Sequence, residues 1–307
     1  MKMKIILNPV SGGGISGKVW KKVKSELDKQ KIEYDFEETT PSLTAGQIAS
    51  KSIKAGQNWI VGIGGDGTLS NIVNGFFENG KLISKDAVFS PIPAGRGNDF
   101  IKTLRVNKKP SEALKQILNG KIRKIDVIET TYTKEDKSTG KYMSINLADF
   151  GMGGEVVYRV NRSKLANFIG GKGVFFLYTL VCLLTYKNKK VHLKINNKET
   201  IDCTSRIIVC ANGEYAGGGM WFAPKAKLED GLFDLLIIED IGRLETLAKF
   251  GKLYKGQAEG QPKIISRTAF SLEASSEEDI FIDVDGENMG QLPASFKIIP
   301  SIISVKC

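Results

Sequence analysis

Three short runs near the start of the chain read as buried strands: Lys4-Ile5-Ile6-Leu7, Trp59-Ile60-Val61-Gly62-Ile63 and Ala87 to Ile92. Each ends in a polar loop that carries glycine. Apolar residues recur at helical spacing behind the first, at Val19, Trp20, Val23 and Leu27, and behind the second from Leu69 to Phe77. Further helical stretches fall near Ala45 to Ala55 and Ser111 to Asn119. Alternating strand and helix signals over residues 1–128 predict an α/β, doubly wound parallel sheet. The pattern changes after Ile125-Asp126-Val127-Ile128. Strand-like runs follow at Met143 to Leu147, Val191 to Ile195, Ser205 to Ala211, Phe233 to Ile238, Ser271 to Glu273, Ile280 to Val284 and Phe296 to Ile299. Asn196-Asn197, Asp230-Gly231 and Asp285-Gly286 punctuate them as turns, so residues 129–298 are expected to form an antiparallel, β-rich second domain. The stretch from Lys134 to Lys141 reads as a hairpin turn without a function.

The loop chemistry narrows the first domain. Gly64-Gly65-Asp66-Gly67-Thr68 lies between a strand and a helix, and glycine removes the side chains that would hold a phosphate away from backbone N–H groups. Asp66 among such donors would repel a polyphosphate, so it makes sense with a divalent cation or a donor to share. Asn8-Pro9-Val10-Ser11-Gly12-Gly13-Gly14 and Pro93-Ala94-Gly95-Arg96-Gly97-Asn98-Asp99-Phe100 are the companion loops. In an open parallel sheet all three stand at carboxyl ends of strands, where ligands bind. A nucleotide site is expected there.

These ordered motifs resemble the diacylglycerol kinase catalytic family, which includes bacterial lipid kinases and sphingosine kinases. The Gly-Gly-Asp-Gly-Thr element is also similar to one in NAD kinases and phosphofructokinases. Gly217-Gly218-Gly219, Pro224, Ala226, Asp230-Gly231 and the later Asp285-Gly286-Glu287 resemble the lipid-kinase branch specifically. The resemblance implies a nucleotide-binding domain and an antiparallel β-sandwich domain with the catalytic cleft between them, and a tail of about 299–307 returning to the first. It implies ATP as phosphate donor, with Mg2+, contacted by Asn8, Pro9, Ser11, Gly12, Thr40, Gly64, Gly65, Asp66, Gly67, Thr68, Gly95, Arg96, Asn98 and Asp99. Glu287 takes the general-base role and Asp66 the second catalytic role. A structural magnesium ion is implied at Asp230 with the carbonyls of Lys227 and Leu232. Asp66, Asp99 and Asp126, each beside a strand end, are a candidate acidic cluster for the catalytic cation. Arg96 departs from the family pattern, which has threonine there. An always-charged guanidinium could pair with a phosphate or fold against Asp99.

Composition bounds the remainder. The chain has 307 residues, enough for two domains. Cys182, Cys203, Cys210 and Cys307 lack the spacing of a zinc site or a disulfide framework, which fits a reducing cytoplasm. His192 is the only histidine, so carboxylates must move any proton. The N-terminus enters a strand without a secretory pattern. The longest apolar segment, Phe168 to Tyr186, is broken at Gly170-Gly171 and Gly173 and contains Lys172. What remains is shorter than the roughly 20 apolar residues of a membrane span. It reads as a helix that packs on the second domain or borders a lipid entrance.

Lys and Arg outnumber Asp and Glu by 44 to 34, a net charge of +10, with clusters at Lys102 to Lys109, Lys121 to Lys124 and Lys187 to Lys190. Nucleic acid is excluded as the partner because the clusters lack interleaved aromatics and no base-reading module is present. An anionic inner membrane leaflet, approached peripherally from the cytoplasm, is the expected surface, with the lipid substrate in it. The leading expectation is an ATP-dependent lipid kinase acting on diacylglycerol or a related lipid. The alternatives are an NAD kinase-like enzyme of a soluble substrate and a nucleotide-binding regulatory protein without turnover, and a homodimer is left open.

Overall fold

The computed structural model describes residues 2–307; the side chains at 166–169 and 172 lie outside the described residues, and with them the parts of the apolar-segment reading that rest on Phe168 and Lys172. The chain divides into two units, Met1–Val127 with Pro300–Cys307, and Ile128–Ile299.

The N-terminal unit begins β1 (Met3–Leu7), a 3-10 turn (Ser11–Gly13), α1 (Ile15–Lys29), β2 (Tyr34–Glu38), α2 (Ala45–Lys54), β3 (Trp59–Gly64) and α3 (Asp66–Asn74). A two-residue hairpin of β4 (Phe77–Glu78) and β5 (Lys81–Leu82) precedes β6 (Val88–Pro93), α4 (Asp99–Leu104), α5 (Pro110–Asn119) and β7 (Ile122–Thr133), which carries the chain onward. The sheet order is β2-β1-β3-β6, all parallel. β2 runs outward from β1 on one side, while β3 and β6 lie on the other. The strand order therefore reverses between β1 and β3, the position where open sheets bind ligands. Register aligns the loops: Leu7 pairs with Ile63 and Ile63 with Ile92, so the chain leaves all three strands at one level. β2 was not evident from the sequence because its Tyr-Asp-Phe-Glu-Glu is polar, as suits a strand on the sheet edge. Its Phe36 stacks on Trp20 of α1 at 4.3 Å. The C-terminal tail adds Ser304 and Val305 beside Val88 and Phe89, again in parallel.

The second unit contains β8 (Thr139–Ser144), β9 (Leu147–Gly151), α6 (Met152–Arg162), α7 (Ala166–Thr185), β10 (Lys189–Ile195) and β11 (Glu199–Ala211). It continues through a short hairpin, β12 (Tyr215–Ala216) and β13 (Met220–Trp221), to β14 (Phe233–Glu239), α8 (Arg243–Leu253), β15 (Ile264–Ala269), β16 (Ser271–Ser275), β17 (Phe281–Val284) and β18 (Glu287–Lys306). Antiparallel pairing runs in a closed cycle, β9-β11-β10-β16-β18-β17 and back to β9. Its interior is filled by side chains such as Leu193, Ile208 and Phe233, with Phe150 stacked on Phe296 at 5.5 Å. Closure leaves those strands without free edges.

Two expectations are corrected here, and a third is given detail. The run Met143 to Leu147 is two strands, β8 and β9, because the chain turns at Ile145 and Asn146. Helices α6 and α8 stand within the β-rich unit beside the helix expected there, and neither was expected. The apolar segment is carried by α7, which is kinked at Gly170; among its described residues Val174, Cys182 and Leu183 are inward and Phe176, Leu180 and Leu184 exposed. The end of α7 is fixed by Arg206, which is almost fully buried and donates to the carbonyls of Leu183 at 2.7 Å and Cys182 at 3.4 Å. Arg206 sits at a β-bulge in β11, a local irregularity that re-aims a side chain.

Candidate active site

The three loops of the N-terminal unit are bonded to each other. Asn8 donates its side-chain amide to the Thr68 hydroxyl at 2.9 Å, and the Gly65 N–H donates to the Ser11 hydroxyl at 2.8 Å. Ala94 N–H reaches the Gly64 carbonyl at 2.8 Å. Asn98 closes its own loop on Gly95, accepting from its N–H at 3.0 Å and donating to its carbonyl at 2.9 Å. Glycine is required where the loops meet: a Cβ on Gly95 would stand 2.4 Å from the Gly65 Cα, and one on Gly12 would stand 2.5 Å from the Ala94 carbonyl oxygen. Gly12, Gly13 and Gly14 all have positive φ, from 62° to 87°, which only glycine adopts in succession without strain.

Asp66 opens α3, and its Oδ1 accepts the Phe100 N–H of α4 at 3.0 Å. The first turn of α3 presents N–H groups that have no intrahelical acceptor, a ready anion site. A Cβ built on Gly97 would lie 3.0 Å from Asp66 Oδ2 and 3.4 Å from Asp99 Oδ2. Two carboxylate oxygens thus converge on one glycine, a donor set of hard oxygens that fits a magnesium ion bound jointly with phosphate. Lys102 pairs with the other oxygen of Asp99 at 2.6 Å.

Two assignments change at this point. Asp126 does not join Asp66 and Asp99: it is fully buried and accepts the Ser301 N–H at 2.6 Å, holding the returning tail. Arg96 does not fold against Asp99, which is taken by Lys102; its Nε donates to the Gly12 carbonyl at 3.3 Å and its guanidinium lies over Gly13. Thr40 is exposed two residues past the end of β2, whose Glu38 lies level with Leu7 of β1, and is bridged to Leu43 and bonded to the Ser42 hydroxyl. Pro9 contributes its carbonyl to the Ser16 hydroxyl at 2.9 Å, tying the first loop to α1.

In the second unit, Asp285 and Gly286 form a two-residue hairpin between β17 and β18, with φ of 52° and 91°. That is the left-handed pair a tight hairpin requires, which Asp-Gly supplies. The Asp285 carboxylate is buried and accepts from the Ser144 hydroxyl at 2.8 Å and from the N–H groups of Ile145, Asn146 and Leu147 at 3.0, 3.1 and 2.9 Å. It therefore fixes the turn between β8 and β9. Asp283 accepts the Gly286 N–H at 2.8 Å. Glu287, next in line, is left exposed at its surface. Partial burial of the carboxyl still raises it above the ordinary glutamate range.

Sequence reasoning missed a further pair. Asp283 lies opposite Asp149 across the β17–β9 ladder, and both side chains are buried and hydrogen-bonded to each other. Burial pushes Asp149 up to about 7, and burial followed by the Asp149 charge raises Asp283. Two carboxyls so placed hold one proton between them. They line a cavity of about 90 Å3 whose walls are otherwise largely apolar, including Met152, Val156, Phe175, Phe222 and Leu253. Acids isolated in a sequence give no sign of such a pairing.

Asp230 closes a turn by accepting the Leu232 N–H at 3.1 Å, and it helps burial raise nearby Asp234 to about 6. Among the described residues no group of three or more His, Cys, Asp or Glu side chains is placed to hold a metal ion. Metal sites at Asp66 or Asp230 would combine carboxylate with phosphate, water or carbonyl oxygens.

A parallel sheet with glycine loops at its switch point, followed by a closed antiparallel unit bearing an Asp-Gly-Glu hairpin, defines a two-domain kinase architecture. Residues 2–130 match the family described as diacylglycerol kinase catalytic domain, and 147–307 match the YegS C-terminal NAD kinase beta sandwich-like domain. The chain belongs to this diacylglycerol kinase catalytic family and is a kinase. A diacylglycerol kinase of Staphylococcus carnosus is 28% identical over 309 residues, 99% of this chain and 94% of that protein. One of Staphylococcus epidermidis is 29% identical over 301 residues, 96% and 88% of the two chains. A crystal structure of a diacylglycerol kinase from Bacillus anthracis shares the fold with a TM-score of 0.72, at 21% identity over 99% of this chain and 96% of that one.

Proposed function

We propose that the protein is an ATP- and magnesium-dependent lipid kinase that transfers the γ-phosphate to a hydroxyl of diacylglycerol or a related membrane lipid. The observation that carries the lipid reading is the largely apolar cavity in the unit that displays Glu287, because a nicotinamide nucleotide would bring charge and sugar hydroxyls to walls with few groups to bond them. The N-terminal loops bind the polyphosphate through backbone N–H groups and the start of α3. Asp66, aimed by the Phe100 N–H, and Asp99, held by Lys102, would ligate the catalytic cation. When bound, that cation neutralises charge on the phosphate oxygens. Asp230 with the carbonyls of Lys227 and Leu232 would hold the structural ion. Glu287 accepts the proton of the attacking hydroxyl, and its raised carboxyl brings it nearer the strength a base needs at neutral pH. The chain acts from the cytoplasm on the inner leaflet; among the described residues no helix is long and apolar enough to cross a membrane.

Transfer of label from γ-labelled ATP to a panel of extracted lipids, with NAD as competing acceptor, tests the reading. Label should enter a diacylglycerol-class lipid and depend on magnesium. Label in NAD and in no lipid would overturn it.

A further inference from the structure

Two helices of the C-terminal unit turn apolar faces to water. On α8 and its cap, Leu244, Leu247, Ala248, Gly251 and Tyr254 recur at the i, i+3, i+4, i+7 spacing that normally marks a core stripe, yet all are exposed and Leu244 is 83% so. On α7, Phe176, Leu177, Leu180 and Leu184 share one face by the same period, and Phe176 is 68% exposed. Soluble surfaces scatter such residues singly; a contiguous patch marks a docking site. The inner sides of both helices are already used. Val174, Cys182, Leu183 and Thr246 are buried, and Phe175, Thr179, Phe250 and Leu253 line the apolar cavity. α7 packs on α8. The patch is therefore the outer surface of the two helices whose inner surface walls the cavity.

Charge identifies the occupant. Lys164 and Lys187 flank α7, and Arg243 and Lys255 flank α8; all four are exposed and form no ion pair among the described residues. Neither exposed stripe contains an acid. A second copy seated on this face by two-fold symmetry would oppose the same cationic rim to itself, in a chain of net charge +10. An anionic bilayer complements both the apolar stripe and the rim. We propose that the outer faces of α7 and α8 seat on an anionic phospholipid bilayer, so that the cavity behind them takes its ligand from the membrane. The entry of a lipid acceptor by this route rests on the lipid-kinase reading; the docking itself does not.

The test measures co-flotation of the full chain with phosphatidylcholine vesicles, with and without phosphatidylglycerol, in the absence of nucleotide. Wild type should bind the anionic vesicles more tightly and lose affinity as salt rises. Leu180→Asp combined with Leu247→Asp should weaken binding at least about tenfold, with melting unchanged because both positions face water. Lys187→Gln with Lys255→Gln should remove most of the salt dependence. Wild-type binding by the Asp variant would overturn the proposal. So would a dimer in sedimentation that the Asp variant splits while vesicle binding persists, since the face would then belong to a second copy. A chain that floats with vesicles through these residues but phosphorylates no lipid upholds the surface and removes the lipid-kinase reading.

Discussion

The two units hold polar chemistry by opposite means. In the N-terminal unit the groups proposed to face the ligand are mostly backbone, delivered by glycine loops so close that a methyl group on Gly95 would enter Gly65. In the C-terminal unit they are carboxyl side chains, Asp149, Asp283 and Glu287, borne on neighbouring β9 and β17–β18, with Asp285 spent on the β8–β9 turn. Backbone donors cannot be tuned singly and suit a ligand that never changes, such as a polyphosphate. Carboxyls can be shifted by burial, and here it raises both Glu287 and Asp149. Acceptor-side chemistry should accordingly be the adjustable half of the enzyme.

The sharpest attack on this contrast is Asp66→Ala, which removes the one carboxylate at the centre of the backbone site. Turnover should fall by about 10³-fold or more, the scale of lost charge stabilisation at a transferring phosphoryl group. The fold should persist, since Asp66 is only half-buried at the start of α3. Activity within tenfold of wild type, at unchanged melting temperature, would remove Asp66 from the chemistry.

Glu287→Gln probes the other side. It keeps the shape and deletes the proton acceptor, so lipid phosphorylation should drop roughly 100-fold. Calorimetry should find ATP affinity unaltered, because the nucleotide loops belong to the other unit. Lost ATP binding would erase the division of labour, and unaltered turnover would falsify the general-base role.

How each half was read follows from the same contrast. Strand, glycine loop and helix are consecutive in sequence, so the Asn8–Gly14, Gly64–Thr68 and Pro93–Asp99 loops were legible, and register alone brings them together. The carboxyl site is assembled across the chain: Asp285 bonds residues 138 to 141 positions away. Its structural job, and the Asp149–Asp283 pair, had no local signal. Asp126 misled for a related reason, since its partner Ser301 is 175 positions off in the tail.

A smaller effect separates the halves by pH. Asp149 keeps its proton in the folded state up to about pH 7, whereas an unfolded aspartate loses it near 4. The native state binds more protons across that window, so stability is greatest at its acid end and falls as pH rises from about 4 to about 7. Asp149→Asn should flatten the slope, leaving the variant relatively more stable at pH 8 than at pH 5. Urea melts at both values measure it. A slope the same as wild type would mean that the buried pair is not sharing a proton.

The smallest expected effect concerns Arg96, where the chain departs from the family threonine. Its guanidinium is exposed, and its bond to the Gly12 carbonyl is long at 3.3 Å. Water can replace such a bond, so the clasp it forms between the first and third loops contributes about 1 kcal/mol or less. Arg96→Thr loses that clasp and restores a small hydroxyl. The KM for ATP should rise by no more than about fivefold, with kcat steady, because ordering the loops affects binding while the phosphate donors stay in place. A hundredfold loss concentrated in kcat would make Arg96 a ligand of the transferring phosphate. The N-terminal site would then depend on a side chain as the C-terminal one does, and the contrast between the units would fail at this residue.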